Sequence, residues 1–291
     1  MKIYGTLIAK NEADIIEQTF LSLREHGNFE KVFFYDNGST DDTLTIARKF
    51  DDFVVCADIS ATPYSDELKY KLLNAQSHYY AEGDWLAILD ADELYVESIL
   101  PKIDSALRER ANCIEEACAQ FYLCEKDNGS SFEPGIPAIE QRKHYLINYG
   151  EPRIFEYRKQ VPLSERIVKS RDASLVLAKE KLLVAHFQYR SNAQIQNRIN
   201  VRKANNLISG NWGHVNSEAW QDYLVDSRYL HEFDGTFKQG LPQGADLYKI
   251  NNNPAYTNGS LRWLLDNKRL TMEQEDYFDA TRLKKIFKKF F

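Results

Sequence analysis

The sequence lacks any run approaching the roughly 18–20 consecutive apolar residues that a membrane-spanning helix needs. It also opens without a secretory pattern. MKIYGTLIAKNEAD reaches charge at Lys10 with no small-residue cleavage site, so it reads as a first strand and not a signal peptide. Cysteine is scarce, with four residues (Cys56, Cys113, Cys118, Cys124), none in a CxxC pair and none with a histidine at ligand spacing. Reduced core thiols in a cytoplasmic protein are expected, against a disulfide framework or a zinc module. A basic excess is missing too: Lys and Arg total 37 against 43 Asp and Glu, net −6, which argues against nucleic acid as a partner. No repeat or low-complexity tract occurs, and 13 Gly and 8 Pro are too few for a linker or a disordered chain.

What is present is a core. Hydrophobic residues make up 43% of 291 positions, enough for one large domain or a domain with an appendage. The first hundred residues alternate short apolar runs with helical patterns. KIYGTLIA, KVFFYD, FVVCAD and DWLAILDA read as strands. Between them, NEADIIEQTFLSLREHG reads as a helix closed by Gly27, STDDTLTIARKF as one capped by Ser39 or Thr40, and SDELKYKLLNAQSHYYAEG as one capped by Ser65. This βαβαβαβ rhythm predicts a parallel sheet with helices on both faces, and ligands bind such sheets beyond the carboxyl ends of the strands. Asn11, Glu12, Asp36, Asp58 and Asp90 to Glu93 all fall just past strand ends.

From about residue 118 the rhythm changes. CAQFYLCE, RIFEY, SLVLA and LLVAHFQY read as further strands, mixed or antiparallel, around a loop-rich stretch holding three of the prolines. SNAQIQNRINVRKANNLIS and NSEAWQDYLVDSRYLHEF read as helical. A long irregular stretch then precedes the last helices, and loops of that length are lids or binding loops.

Three constellations carry chemistry. In WLAILDADEL a buried strand ends in Asp90, Asp92 and Glu93. Carboxylates two apart at such a turn suit a hard divalent cation shared with a diphosphate. A solvated turn whose acids favour the next helix N-terminus accounts for the same residues. In YDNGSTDDT, Asp36 at the tip of strand two is placed to accept hydrogen bonds from a nucleoside, or the stretch is simply a tight turn with a capped helix. AKNEAD at the tip of strand one is the third.

Taken together, AKNEAD, DNGSTDDT and GDWLAILDADEL resemble the nucleotide-binding half of family 2 glycosyltransferases of the GT-A fold, in the branch carrying DADE-type motifs. The likeness is close over about 95 residues and looser to about residue 205 through PRIF and HFQYRS. It implies an α/β fold, a GT-A (Rossmann-like nucleotide-binding) mixed sheet flanked by helices, with a helical C-terminal extension. Residues 1–205 would be the catalytic domain and 206–291 the extension.

By position, the resemblance places Ala9, Asn11 and Glu12 beside the nucleoside, Asp36 and Gly38 at base or ribose, and Asp90 and Ala91 at ribose or metal. Lys71 and Asn74 would lie near the donor, although the chain has KLLN where the family has ARN. Lys10 replaces the family's usual Tyr, which removes base stacking there. Asp90, Asp92 and a late histidine, His186, would hold Mn2+ or Mg2+. Arg190 or Arg198 would neutralise the departing diphosphate. The family's ED motif is not evident, so Glu165 and then Asp127 are the candidates for the base that deprotonates the acceptor.

The activity implied is metal-dependent, inverting transfer of a sugar from a nucleoside diphosphate, UDP first, to a glycan or lipid-linked glycan in surface polysaccharide or lipooligosaccharide synthesis. Two rivals stand beside it. A sugar-phosphate nucleotidyltransferase carries a Gly-rich basic loop after strand one, which AKNEAD lacks, and a non-catalytic glycan-binding scaffold would have no need of the acids. In the tail, RLKKIFKKFF places Leu283, Ile286, Phe287, Phe290 and Phe291 on one helical stripe with lysines around it. Such a helix suits an anionic membrane surface, giving peripheral attachment to the inner face of the cytoplasmic membrane; packing on protein is the alternative.

Overall fold

The computed structural model describes residues 1–60, 62–170, 172–209, 217–240 and 242. The tail predicted as a basic amphipathic helix lies outside the described residues. The chain divides into two compact units, the first made of residues 1–117 and 150–185, the second of residues 118–149 and those following 185.

In the first unit the predicted strands and helices form in order. They are β1 (Ile3–Ala9), α1 (Ile16–Ser22), β2 (Lys31–Asp36), α2 (Thr43–Ala47), β3 (Val54–Asp58), α3 (Asp66–Ala75) and β4 (Trp85–Leu89). β5 (Glu93–Tyr95), α4 (Ile99–Glu109) and β6 (Cys113–Phe121) follow. After α5 (Ala138–Gln141) come β7 (His144–Glu156), α6 (Glu165–Ser170) and β8 (Leu182–His186). Strands β3-β2-β1-β4 run parallel, and β7 joins β4 antiparallel through Trp85↔Glu156, Leu86↔Phe155 and Ala87↔Ile154, so the sheet is mixed.

All seven residues of β1 and all five of β4 are buried, as expected for central strands covered on both faces. Tyr4, Ile8, Phe33, Tyr35, Leu86 and Ile88 meet Leu68, Tyr70 and Leu73 of α3 on one face. On the other face Phe20 of α1 packs its ring 5.7 Å from Phe34 and 5.1 Å from Phe50. Period-two alternation in β1 and β2 decides which residue faces which layer. The parallel register sets Ala9 against Asp36 and Asp36 against Asp58, while Leu7 pairs with Leu89. Asp90 therefore follows immediately at the same carboxyl edge.

The second unit contains α7 (Asn192–Ser209) and β9 (His231–Glu232), the latter antiparallel to the start of β7. Here and elsewhere the structure departs from the local pattern. The stretch 217–233, expected to be helical, forms two 3-10 turns and β9. Val225 donates its N–H to the Leu123 carbonyl at 3.0 Å, and Asp226 accepts from the N–H of Arg228, so tertiary pairing and a local cap override helix propensity. SLVLA makes only a bridge, Leu177 to Cys113. Helix α1 continues into a π-type turn over Leu23–Gly27, and the left-handed residue that ends it is Asn28 (φ 49°), not Gly27. Gly27 is required for another reason: a Cβ there would lie 2.2 Å from the Phe29 ring.

Candidate active site

Two loops at the carboxyl edge are tied to each other by the residues that the sequence marked. Asn11, at φ 58°, donates its backbone N–H to Ser39 Oγ (3.0 Å), and its Oδ1 accepts from the N–H of Thr40 (2.7 Å). Glu12 N–H donates to Thr43 Oγ1 (2.8 Å), and Asp41 Oδ2 accepts from Ala13 N–H (3.2 Å). Ser39 and Thr40, predicted as helix caps, instead bridge to the first loop, and Asp42 stands at the N-cap of α2. The polar run NGSTDDT is thus a brace that fixes the end of β1 beside the end of β2.

Asp36 is buried, with 4% of its surface exposed. Its Oδ2 accepts from the N–H groups of Gly38 (3.2 Å) and Ser39 (3.1 Å), an Asx-type turn that orients the carboxylate. Its Oδ1 is buried with no hydrogen-bond partner among the described residues. A buried acceptor without a donor costs about 1–3 kcal/mol. Gly38 has φ +77°, the left-handed region, and a Cβ would sit 3.1 Å from Ser60 Cβ. Ala9 is buried, and its carbonyl accepts from the N–H of Asn37 at 2.8 Å.

The turn after β4 is held from below and neutralised from the side. Thr19 of α1, fully buried, donates its hydroxyl to the Ala91 carbonyl at 2.6 Å, between the two aspartates. Lys69 of α3 hydrogen-bonds Asp90 Oδ1, and Arg153 of β7 donates to Asp90 Oδ2 at 2.9 Å. Burial works against the charge on Asp90, but Arg153 and Lys69 overcome it and hold its carboxyl below the usual aspartate range. Burial likewise acts to lower Lys69, and Asp90 more than offsets it, so the ammonium is held above its usual range. Asp92 and Glu93 are buried beside this turn. Deeper in the same unit Tyr95 Oη donates to Glu116 Oε1 at 3.1 Å. Burial, then the Glu93 charge, push the Glu116 carboxyl well above the usual glutamate range.

The mutual repulsion posed by three acids in four residues therefore has an answer within the chain. Two cations, both mostly buried, meet Asp90. Neither Lys69 nor Arg153 stands out in the sequence: one lies on a helix of mixed polarity, the other in the PRIF strand 63 residues from Asp90. Lys71, the lysine singled out from the sequence, is exposed on α3, and Asn74 donates its Nδ2 to the Leu163 carbonyl at 2.7 Å. Glu165 opens α6, donates its N–H to Glu67 Oε2 (2.9 Å) and pairs with Lys169 (2.5 Å).

The remaining predicted residues belong to the second unit. Arg190 is fully buried, donating to the Phe187 carbonyl at 2.9 Å, while its own carbonyl accepts from Arg142. Arg198 lies half-buried on α7. His186 is half-buried, with Nδ1 3.4 Å from Cys118 Sγ. Asp127 Oδ2 accepts from the N–H of Cys124 at 2.8 Å. All four cysteines are free thiols, as expected, but two have histidine neighbours that sequence spacing did not disclose: Cys118 with His186, and Cys124 with His144 at 3.3 Å.

The family model described as "Glycosyl transferase family 2" matches residues 7–145, just under half of the chain, and includes all three sequence constellations. Over that stretch the chain is similar to family 2 glycosyltransferases. Four parallel strands and one antiparallel neighbour bring Asp36 and Asp90 to one edge. No curated protein matches the chain.

Among solved structures, parts of the chain are similar to S. aureus TarS (12% identity, TM-score 0.39), covering 76% of this chain and 42% of TarS. They are similar also to the mannosyltransferase PcManGT from Pyrobaculum calidifontis, solved with GDP-Man and Mn2+ (13%, TM-score 0.39, covering 68% and 61%). Glucosyl-3-phosphoglycerate synthase from Mycobacterium tuberculosis, solved with Mn2+, UDP-Glc and phosphoglyceric acid, aligns at 22% identity and TM-score 0.30, covering 40% and 44%. The chain spans less than half the length of TarS.

Proposed function

We propose that the chain transfers a sugar from a nucleoside diphosphate, UDP in the first instance, to a hydroxyl of a glycan or lipid-linked glycan, with inversion. The observation that carries this reading is the buried Oδ1 of Asp36, without a partner among the described residues, at the carboxyl edge of parallel strands. An acceptor so placed calls for a base N–H or a ribose hydroxyl, and the Gly38 turn keeps the carboxylate aimed.

Asp92, buried two residues beyond Asp90, would supply carboxylate oxygen, the ligand type that Mn2+ and Mg2+ take. When bound, such an ion stabilises charge on the departing diphosphate. Asp90 has both oxygens engaged by Lys69 and Arg153, so it serves the ribose side while ionised, and Asp92 is the metal-side carboxylate. Thr19 fixes the carbonyl between them, which sets the angle between the two acids. Lys69 and Arg153 also supply positive charge at this edge for the developing nucleoside diphosphate.

Glu165 is the favoured acceptor base, because Asp127 already spends one oxygen on the Cys124 N–H. To act, Glu165 must leave Lys169, an exposed pairing worth little. Catalysis is assigned to residues 1–205, with 206–291 as an extension whose basic tail attaches to anionic membrane. Among the described residues no helix is long and apolar enough to cross a membrane.

The deciding experiment is a thermal-shift series with UDP, GDP, ADP and CMP, each with and without Mn2+. A metal-dependent rise in melting temperature with UDP is expected. If no nucleotide shifts melting in a metal-dependent way, the transferase reading fails.

A further inference from the structure

The second unit carries a cluster that the donor chemistry does not use. Cys124 follows β6, His144 opens β7, and Asp127 lies in the tight turn after Cys124. Ligand atoms of the three lie within 4.8 Å of one another. Tyr122 N–H donates to the His144 carbonyl at 2.9 Å, which locks the two strand ends side by side. Asp127 N–H donates to the Cys124 carbonyl (3.1 Å) and its Oδ2 accepts from the Cys124 N–H (2.8 Å), which brings the carboxylate back over the cysteine.

Taken as a bare thiol–imidazole contact, this arrangement is poor. Cys124 Sγ lies 3.3 Å from His144 Nδ1. A weak sulfur hydrogen bond does little to offset burying the imidazole beside it.

The geometry suits a metal better. Zinc takes thiolate at about 2.3 Å and imidazole at about 2.0 Å in a tetrahedron, which sets sulfur and nitrogen about 3.5 Å apart. The observed 3.3 Å is near that separation. One thiolate, one imidazole and one carboxylate form a mixed S/N/O set that favours zinc over magnesium or calcium.

We propose that Cys124, Asp127 and His144 bind one zinc ion, stapling the loop between β6 and β7 independently of any metal at the donor site. Binding breaks the S–H bond of Cys124, releases that proton to solvent, and forms the zinc–sulfur bond without any redox change.

Metal-stripped full-length protein, kept reduced and anaerobic, is titrated with Co2+ and followed in the near ultraviolet. One equivalent is expected to give a thiolate-to-cobalt charge-transfer band, and one equivalent of Zn2+ to bleach it. Carboxylate-only sites give no such band, so the donor site does not contribute. Cys124→Ser should abolish the band, His144→Gln should weaken cobalt affinity at least tenfold, and Cys118→Ser, which alters the other cysteine–histidine pair, should leave both intact. Absence of the band in folded wild-type protein overturns the proposal, whatever the variants do. So does a band that survives Cys124→Ser or is lost in Cys118→Ser. Failure here leaves the nucleotide melting series unaffected, since that series reads the first unit.

Discussion

At the scale of single residues, the informative atoms are those whose hydrogen bonding is incomplete or unexpectedly complete. Asp36 Oδ1 is incomplete. Asp36→Asn keeps the size and places a donor or a weaker acceptor there, so UDP affinity measured by calorimetry is expected to fall at least tenfold, about 1.4 kcal/mol or more. Melting without nucleotide should change little. Thr19 is complete, giving its only proton to the Ala91 carbonyl from a fully buried position. Thr19→Val preserves shape but strands that carbonyl, and chemical denaturation should register a loss of about 1–3 kcal/mol. A variant as stable as the parent would remove Thr19 from the support of the acidic turn. Asp36 was legible in the sequence because it ends an apolar run; Thr19 was not, because nothing in a helix sequence announces a hydrogen bond to a carbonyl 72 residues away.

At the scale of elements, α3, β4 and β7 meet at Asp90, each contributing one charge. The sign of the pH dependence follows. The folded Asp90 carboxyl titrates below its usual 3.8, so its contribution to stability is present above about pH 4 and is lost as pH falls through the folded value. Glu116 has the opposite sign. Its folded carboxyl titrates above its usual 4.5, so its favourable contribution exists below that pH and is lost as pH rises toward the folded value. Glu116→Gln should therefore gain stability over the parent at neutral pH, by an amount that shrinks toward pH 4 in urea melts. Equal stability of the two proteins across that range would contradict the shift. Arg153→Met leaves Asp90 with Lys69 alone, and a loss of about 3 kcal/mol is expected from breaking a mostly buried pair. Acid unfolding of that variant should begin at a higher pH than in the parent.

At the scale of the molecule, the proposed membrane attachment is separable from the proposed transfer. Removing residues after Thr281 should leave transfer to soluble acceptors intact while releasing the protein from vesicles rich in anionic lipid, measured by co-sedimentation. Each basic residue near such a surface contributes about 1 kcal/mol, and the removed segment carries five. Retained vesicle binding would place the tail on protein instead.

What the sequence determined by itself is the layered α/β core and the edge where the acids collect. Central strands buried on both faces must be continuously apolar, and loops that bind a ligand must interrupt that pattern, so both leave a mark in linear order. The tertiary structure alone decided which charges meet. Lys69 and Arg153 reach Asp90 only because α3 packs on the sheet and β7 runs antiparallel to β4. Cys124 reaches His144 only because Tyr122 and His144 are hydrogen-bonded across two strand ends. Burial periodicity is a local property of the chain, whereas an ion pair or a ligand set is a coincidence in space between residues tens of positions apart, and chain order carries no signal of it.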